Sequence, residues 1–257
     1  MISLDKVSIV MPCFNAAVTV QESIAGIMEQ SYPHWELIVV IDGSEDQTQE
    51  LVQKIAGEDS RIRVVVSKKN RGVVRSRNIA IRLASGNWIG FCDADDVWLQ
   101  EKLTLQLDAA KKNAANLVCT SFQFIDAKGN ANGIVHTSSK IHWHRLLRTN
   151  PIPMSTAIYS LPCRYYFPEI GQKYIHEDYA FWLTMFQRYS MTAVNLPVVT
   201  TQIRQVKGSR SANKWLAAKS HGYILRNYGL QKGLCWFILM VQYGFNALNK
   251  RFKNNFN

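Results

Sequence analysis

Beyond Asp178 the sequence contains no acidic residue at all. Its 257 residues carry 30 Lys and Arg against 19 Asp and Glu, a formal net charge of +11. Residues 1–178 hold 19 basic and 19 acidic side chains, whereas residues 179–257 hold 11 basic and none acidic. The excess charge therefore belongs to the C-terminal part, which nucleic acid, an anionic membrane surface or a phosphate-rich substrate would each attract. Cysteine is also scarce: five residues, at 13, 92, 119, 163 and 235, with no Cys-x-x-Cys spacing. That argues against a disulfide framework or zinc site and suits reduced thiols in the cytosol. No apolar run reaches the roughly 20 residues that cross a bilayer; the nearest, residues 233–248, is interrupted by Gln242 and Asn246. The start, Met1 to Lys6, lacks the basic opening and long apolar stretch of a secretory signal, so a cytosolic location is expected. Internal repeats and low-complexity linkers are missing too. With 47% hydrophobic residues the chain buries a large core, and disorder is excluded.

What is present in the N-terminal half is alternation. Apolar runs at residues 7–11, 36–41, 61–67 and 88–92 read as strands. Between them lie segments with helical spacing, marked by Ile24, Ile27 and Met28, by Leu51 and Ile55, and by residues 73–84; a further helix is expected over residues 99–113. Ser44-x-x-Gln47 has the form of a capping box for the second helix. This alternation predicts an α/β fold, a mostly parallel central sheet with right-handed crossovers and helices on its faces. In such sheets ligands bind beyond the carboxyl ends of the strands. The groups placed there are Pro12-Cys13-Phe14-Asn15, Asp42-Gly43-Ser44, Lys68-Lys69-Asn70-Arg71-Gly72 and Asp93-Ala94-Asp95-Asp96, which would converge on one crevice.

The last of these sets crowds three carboxylates into four residues. Unit charges about 4–6 Å apart repel by roughly 1 kcal/mol or more at surface-like dielectric. A hard cation with oxygen ligands, Mg2+ or Mn2+, would relieve that repulsion and commonly brings a diphosphate with it. The plainer alternative has Asp95 capping a helix that begins near Val97-Trp98-Leu99, with Asp93 and Asp96 as solvated charges at its positive end. Past residue 115 the pattern is mixed: a strand at 116–124, a short helix at 142–148, a strand at 154–159, a helix at 179–186 and a strand at 198–203.

Taken in order, these motifs resemble glycosyltransferase family 2, the inverting enzymes of GT-A fold. The resemblance rests on Val7 through Asn15, on Gln30-Ser31-Tyr32-Pro33 leading into Trp35 and Glu36, on Asp42-Gly43-Ser44-Glu45-Asp46, on Asn70-Arg71-Gly72 with Arg77-Asn78, and on Ala84-Ser85-Gly86 leading into Phe91-Cys92-Asp93-Ala94-Asp95-Asp96-Val97-Trp98. It is close over residues 6–110 and looser to about 205. It implies a Rossmann-like GT-A domain over residues 1–205, with a nucleotide-sugar half to about 115 and an acceptor half from 116, followed by a basic, amphipathic helical extension at 206–257. It further implies that Asp42 binds the base of a nucleotide sugar, uracil, beside Pro12, Phe14 and Asn15. Arg77 and Asn78 would line the nucleotide pocket, Asp93 would touch ribose or metal, and Asp95 would hold the divalent ion, Mn2+ or Mg2+. Arg204 would contact the diphosphate. His176-Glu177-Asp178 looks like the family's acidic motif, with Asp178 as catalytic base.

Two departures matter. Ile41 stands where many members carry a first acid before the one matched by Asp42, and the Gln-x-x-Arg-Trp string of processive synthases is absent, Gln202-Ile203-Arg204-Gln205 lacking the Trp. Transfer of one sugar per encounter is expected. The implied reaction moves a sugar from UDP-sugar to a lipid-linked saccharide in surface-polysaccharide synthesis. The basic helical tail would hold the protein peripherally on an anionic membrane, the cytoplasmic face of the inner membrane, rather than on nucleic acid; packing of the tail on the catalytic domain is the competing reading. Two other functions were open to the residues. A nucleotidyltransferase would want a Gly-rich basic loop after the first strand, which Pro12-Cys13-Phe14-Asn15 is not, and a non-catalytic sugar- or membrane-binding module would not need Asp93, Asp95 and Asp178.

Overall fold

The structure is a computed structural model that describes residues 5–137, 141–160, 165–171, 174–205, 213–229 and 233–254, with side chains to residue 244 in the last helix. The chain forms two compact units. The first comprises Met1–Lys140, Ile152–Phe167 and Met191–Val206, and the second Ile141–Pro151, Pro168–Ser190 and Lys207–Asn257.

In the first unit, β1 (Val7–Cys13), α1 (Val20–Met28), β2 (Trp35–Asp42), α2 (Thr48–Glu58), β3 (Ile62–Ser67), α3 (Val73–Leu83) and β4 (Trp88–Phe91) follow in the expected alternation. The strands pair in parallel in the order β3-β2-β1-β4, with Val10 opposite both Ile38 and Phe91. Nearly every residue of β1 and β2 is buried, which is why their sequences are almost continuous apolar runs instead of alternating ones. Beyond β4 the sheet becomes mixed. β5 (Val97–Trp98), α4 (Lys102–Asn113), β6 (Leu117–Ile125), β7 (Ala131–Val135), β8 (Ile158–Ser160) and β9 (Ala193–Arg204) complete the unit. The order continues β8-β6-β9-β5, with β6 and β9 parallel, β7 paired to β6, and the other pairs antiparallel.

Several local expectations change. Val97 and Trp98 do not open a helix: they pair antiparallel with Gln202 and Thr201, and α4 starts only at Lys102. Trp98 is 1% exposed and its indole N–H donates to Ser155 O, so an aromatic anchor takes the place of a helical turn. Asp95 consequently caps nothing. The capping box at Ser44 and Gln47 does not form either, because Ser44 Oγ accepts from Asn15 N while Asp46 accepts from Thr48 N at the start of α2. Residues 154–156 make a 3-10 turn before β8, held by Thr156 Oγ1 donating to Pro153 O. β7 has a mostly exposed surface, so no apolar alternation marks it in the sequence. α1 runs so close to β5 that a Cβ on Gly26 would lie 2.6 Å from Trp98 O; only glycine permits the approach.

The second unit holds α5 (Trp143–Leu146), α6 (Glu177–Arg188), α7 (Lys214–Asn227) and α8 (Gly233–Asn254). Tyr179 OH donates to Leu146 O, Ser220 Oγ accepts from Ile175 N, and Gln187 Nε2 donates to Tyr228 O. The division therefore does not follow a single cut at residue 205, since segments 141–151 and 168–190 gather with the C-terminal helices. Burial presses His221 down to about 3, so it is a neutral imidazole stacked between the rings of Tyr179 and Tyr243.

Glu36 on β2 illustrates how the first unit answers to pH. Partial burial alone would raise its pKa, but donation from Ser8 Oγ, Ser85 N, Ser85 Oγ and Lys6 Nζ brings it down to about 2. A carboxyl depressed in the folded state contributes stability that is complete above its ordinary pKa of 4.5 and is lost as pH falls toward about 2. Urea unfolding midpoints measured from about pH 5 to pH 2 should fall, and Glu36→Gln should flatten that fall; an unchanged slope in the variant removes Glu36 as its source.

Candidate active site

The loops past the strands of the first unit are knitted to one another before any ligand arrives. Asn15, in the left-handed region at φ 47°, donates its N–H to Ser44 Oγ and accepts from Glu45 N through Oδ1. Asp46 accepts from Ala17 N, and Thr48 Oγ1 from Ala16 N. The turn after β1 is thus fastened to the turn after β2, leaving Pro12 half-buried and Phe14 50% exposed as an open aromatic face. Asp42, at the end of β2, is buried and accepts from Arg71 N at 2.9 Å and Gly72 N at 2.7 Å. It draws the loop after β3 onto the sheet, and Gly72 takes φ 91° to open α3. A carboxylate has about four lone-pair sites, so two amides leave Asp42 able to accept further.

On α3, Arg77 is almost fully buried and pairs through Nη2 with Asp93 Oδ1 at 2.7 Å. Its guanidinium also lies over the Phe167 ring, 5.2 Å from the centroid. Asn78 donates to Phe167 O and accepts from Phe167 N, so both ends of its amide hold that segment in place. The pair predicted to line a nucleotide pocket is therefore joined to Asp93 on one side and to Phe167 on the other.

The three clustered acids have three different environments. Asp96 is buried, accepting from Ser155 Oγ and, at 3.1 Å, from Arg204 N; burial drives its pKa well above the usual carboxylate range. Its N–H closes a turn on Asp93 O at 3.0 Å. Asp93 is partly exposed and is met by Arg77. Asp95 is partly exposed, and burial followed by the charge of Asp93 raises it to about 6. A carboxyl raised in this way, by burial and then by a neighbouring carboxylate, would be relieved by a hard cation, and the oxygen donors of Asp93 and Asp95 fit Mg2+ or Mn2+. Among the described residues no group of three or more His, Cys, Asp or Glu side chains gathers to hold an ion, so further ligands would come from substrate phosphates or water. Cys13 and Cys92 are buried beside this turn, where burial raises both thiols and keeps them as packing groups.

Arg204 departs from expectation. Rather than reaching out to a diphosphate, its buried guanidinium donates from Nε to Asp95 O, from Nη1 to Asp126 O and Ala127 O, and pairs through Nη2 with Glu22. It braces the acidic turn from behind. Glu22 and Ser155, which complete this brace, carry no motif that marks them in the sequence.

In the second unit Asp178 lies in the first turn of α6, after His176 in the left-handed region at φ 71°. Asn150 Nδ2 donates to Asp178 Oδ2 at 2.7 Å, and Tyr179 N to Oδ1 at 2.8 Å. Asn150 is a partner that sequence spacing offers no means of finding.

A family model described as Glycosyl transferase family 2 matches residues 8–178, ending on Asp178 itself. The chain belongs to glycosyltransferase family 2. It is 32% identical over 227 residues to the Escherichia coli UDP-Glc:alpha-D-GlcNAc-diphosphoundecaprenol beta-1,3-glucosyltransferase WfgD, covering 86% of each chain. Among solved structures it is similar to S. aureus TarS in complex with UDP-GlcNAc, at TM-score 0.71 and 20% identity over 93% of this chain and 71% of that one. It is also similar to the Pyrobaculum calidifontis mannosyltransferase PcManGT in complex with GDP-Man and Mn2+, at TM-score 0.66 and 18% identity over 94% and 69%. These likenesses establish the GT-A fold, and the family 2 chain is a glycosyltransferase.

The brace around Arg204 is open to a direct test. Arg204→Lys keeps the charge but loses the planar fork that satisfies four acceptors, which should lower unfolding free energy by about 1–3 kcal/mol and reduce turnover. Glu22→Gln, whose carboxylate is half-exposed, should cost at most about 1 kcal/mol. A denaturation midpoint for Arg204→Lys equal to that of the parent enzyme removes the bracing role.

Proposed function

We propose that this family 2 enzyme transfers a single sugar, with inversion, from a UDP-sugar to a hydroxyl of a lipid-diphosphate-linked saccharide during surface-polysaccharide assembly. It works as a peripheral protein on the cytoplasmic face of the inner membrane. The observation that carries the reading is the division among the acids after β4, where Asp96 is buried as scaffold while Asp93 and Asp95 remain partly exposed. The named donor and acceptor class of WfgD support the substrate assignment. The missing Gln-x-x-Arg-Trp string supports one addition per encounter instead of chain extension.

Each residue has a part derived from its chemistry. Phe14 offers a flat apolar face to the base, with Pro12 and Asn15 beside it, and Asp42 accepts from the base through its remaining lone pairs. Arg77 orients Asp93, and Asn78 holds the adjacent Phe167 segment. A divalent ion held by Asp93 and Asp95 would supply positive charge against the diphosphate as it leaves. Asp178 takes the proton from the acceptor hydroxyl as that oxygen attacks the anomeric carbon. Asn150, donating to Asp178 Oδ2, fixes the direction in which the carboxylate points. Both rival readings lose ground: the family match, together with the lack of a basic Gly-rich loop, disfavours a nucleotidyltransferase, and the retained Asp93, Asp95 and Asp178 disfavour a non-catalytic module.

Two measurements test this. UDP release should appear with some UDP-sugar when Mn2+ and a lipid-diphosphate saccharide are supplied; silence across a broad donor and acceptor panel sinks the proposal. Asp178→Asn should bind UDP as the parent does while losing turnover by a factor on the order of 10² or more, and near-parental transfer by that variant would take Asp178 out of the base role.

A further inference from the structure

Within the second unit, α8 is apolar on two opposite faces. One face packs. Trp236 Nε1 donates to Gly222 O on α7 at 2.8 Å, and Tyr243 stacks on His221 with ring centroids 4.0 Å apart. Trp236 and Met240 come so near Gly222 that a Cβ there would meet them at 3.1 and 3.2 Å. Residues 236, 240 and 243 recur with helical spacing and so form one stripe. The opposite stripe is formed by Leu234, Phe237, Ile238 and Val241, which are 73%, 60%, 46% and 54% exposed. Their spacing is also that of a single helical face, turned away from α7. On α7 itself, Trp215 is 82% exposed, and Lys214, Lys219 and Arg226 are exposed with it.

We propose that this outward face of α8 docks the enzyme on an anionic bilayer, with the helix lying in the interface plane. The inference deepens the peripheral-membrane part of the proposed function and rests on that reading. Charge selects the occupant. The chain from residue 179 onward carries 11 basic and no acidic residues, and α8 itself runs into Lys250, Arg251 and Lys253. A second copy of the same unit would bring cation against cation. An anionic lipid surface accepts the apolar stripe and the flanking cations together, which is the recognised pattern of an interfacial helix. Crossing the bilayer is not the mode, since no helix among the described residues is long and apolar enough for it.

Co-flotation of the full chain with vesicles tests the assignment. Binding is expected to phosphatidylglycerol-containing vesicles, to weaken as salt rises, and to be at least tenfold poorer on pure phosphatidylcholine. The double variant F237S/V241S should keep the parental thermal midpoint and its turnover on a water-soluble, short-chain acceptor, yet bind phosphatidylglycerol vesicles at least tenfold less well. Parental flotation by the variant overturns the proposal, as does failure of the parent to bind anionic vesicles. Light scattering that shows a parental dimer, made monomeric by the same variant, assigns the stripe to self-association and also overturns it. Because vesicle binding and UDP release are read separately, an enzyme that floats but transfers nothing would defeat the catalytic reading while leaving the docking face intact.

Discussion

The buried contact of Asp96 with Arg204 holds the acidic turn of the first unit in place. Asp96 follows β4, Arg204 ends β9, and the backbone N–H of Arg204 reaches the Asp96 carboxylate across 108 positions of sequence. Arg204 then returns its guanidinium to the carbonyl of Asp95 and is paired by Glu22 from α1. A buried carboxylate and a buried guanidinium are each costly alone, but here each satisfies hydrogen-bonding groups that the other's strand presents. The acidic turn is therefore a fixed object, fastened on three sides.

That rigidity explains how neighbouring carboxylates serve different ends. Asp96 is removed from water and bonded to Ser155, Asp93 is met by the buried Arg77, and Asp95 carries a pKa raised first by burial and then by the charge of Asp93. Each assignment follows from which side chains face the turn: Arg77 from α3, Ser155 from the 3-10 turn before β8, and the strand end of β9. The same principle acts at Asp42, where two backbone amides hold the carboxylate and, with it, the loop leading into α3. Preorganised donors and acceptors of this kind need little rearrangement when a charged ligand arrives.

The second unit follows a different logic, in which aromatic stacking replaces strand pairing. Tyr179, His221 and Tyr243 lie ring on ring, and the neutral state of His221 lets an imidazole serve as an apolar plate among them. Because α6 belongs to this unit, Asp178 and its partner Asn150 are held by helix packing instead of by the sheet. Sequence alone left α8 readable as an interfacial helix or as a packed one; in the fold one of its faces packs on α7 and the other is exposed.

The four parallel strands, the order of the loops beyond them and the family are legible in the sequence, because hydrophobic runs and short polar motifs are local and survive in one dimension. Pro12, Asp42 and the acids after β4 stand at the ends of those runs. The sequence could not distinguish Asp96 from Asp95, since the two differ only in what stands opposite them, and it mistook Val97 and Trp98 for a helix start because their partners, Gln202 and Thr201, lie 105 and 103 residues further on. That Arg204 supports the acidic turn, that Asn150 meets Asp178, and which face of α8 is left open emerge from the folded chain alone: burial and hydrogen-bond partners are properties of distant segments brought together, and no local pattern encodes them.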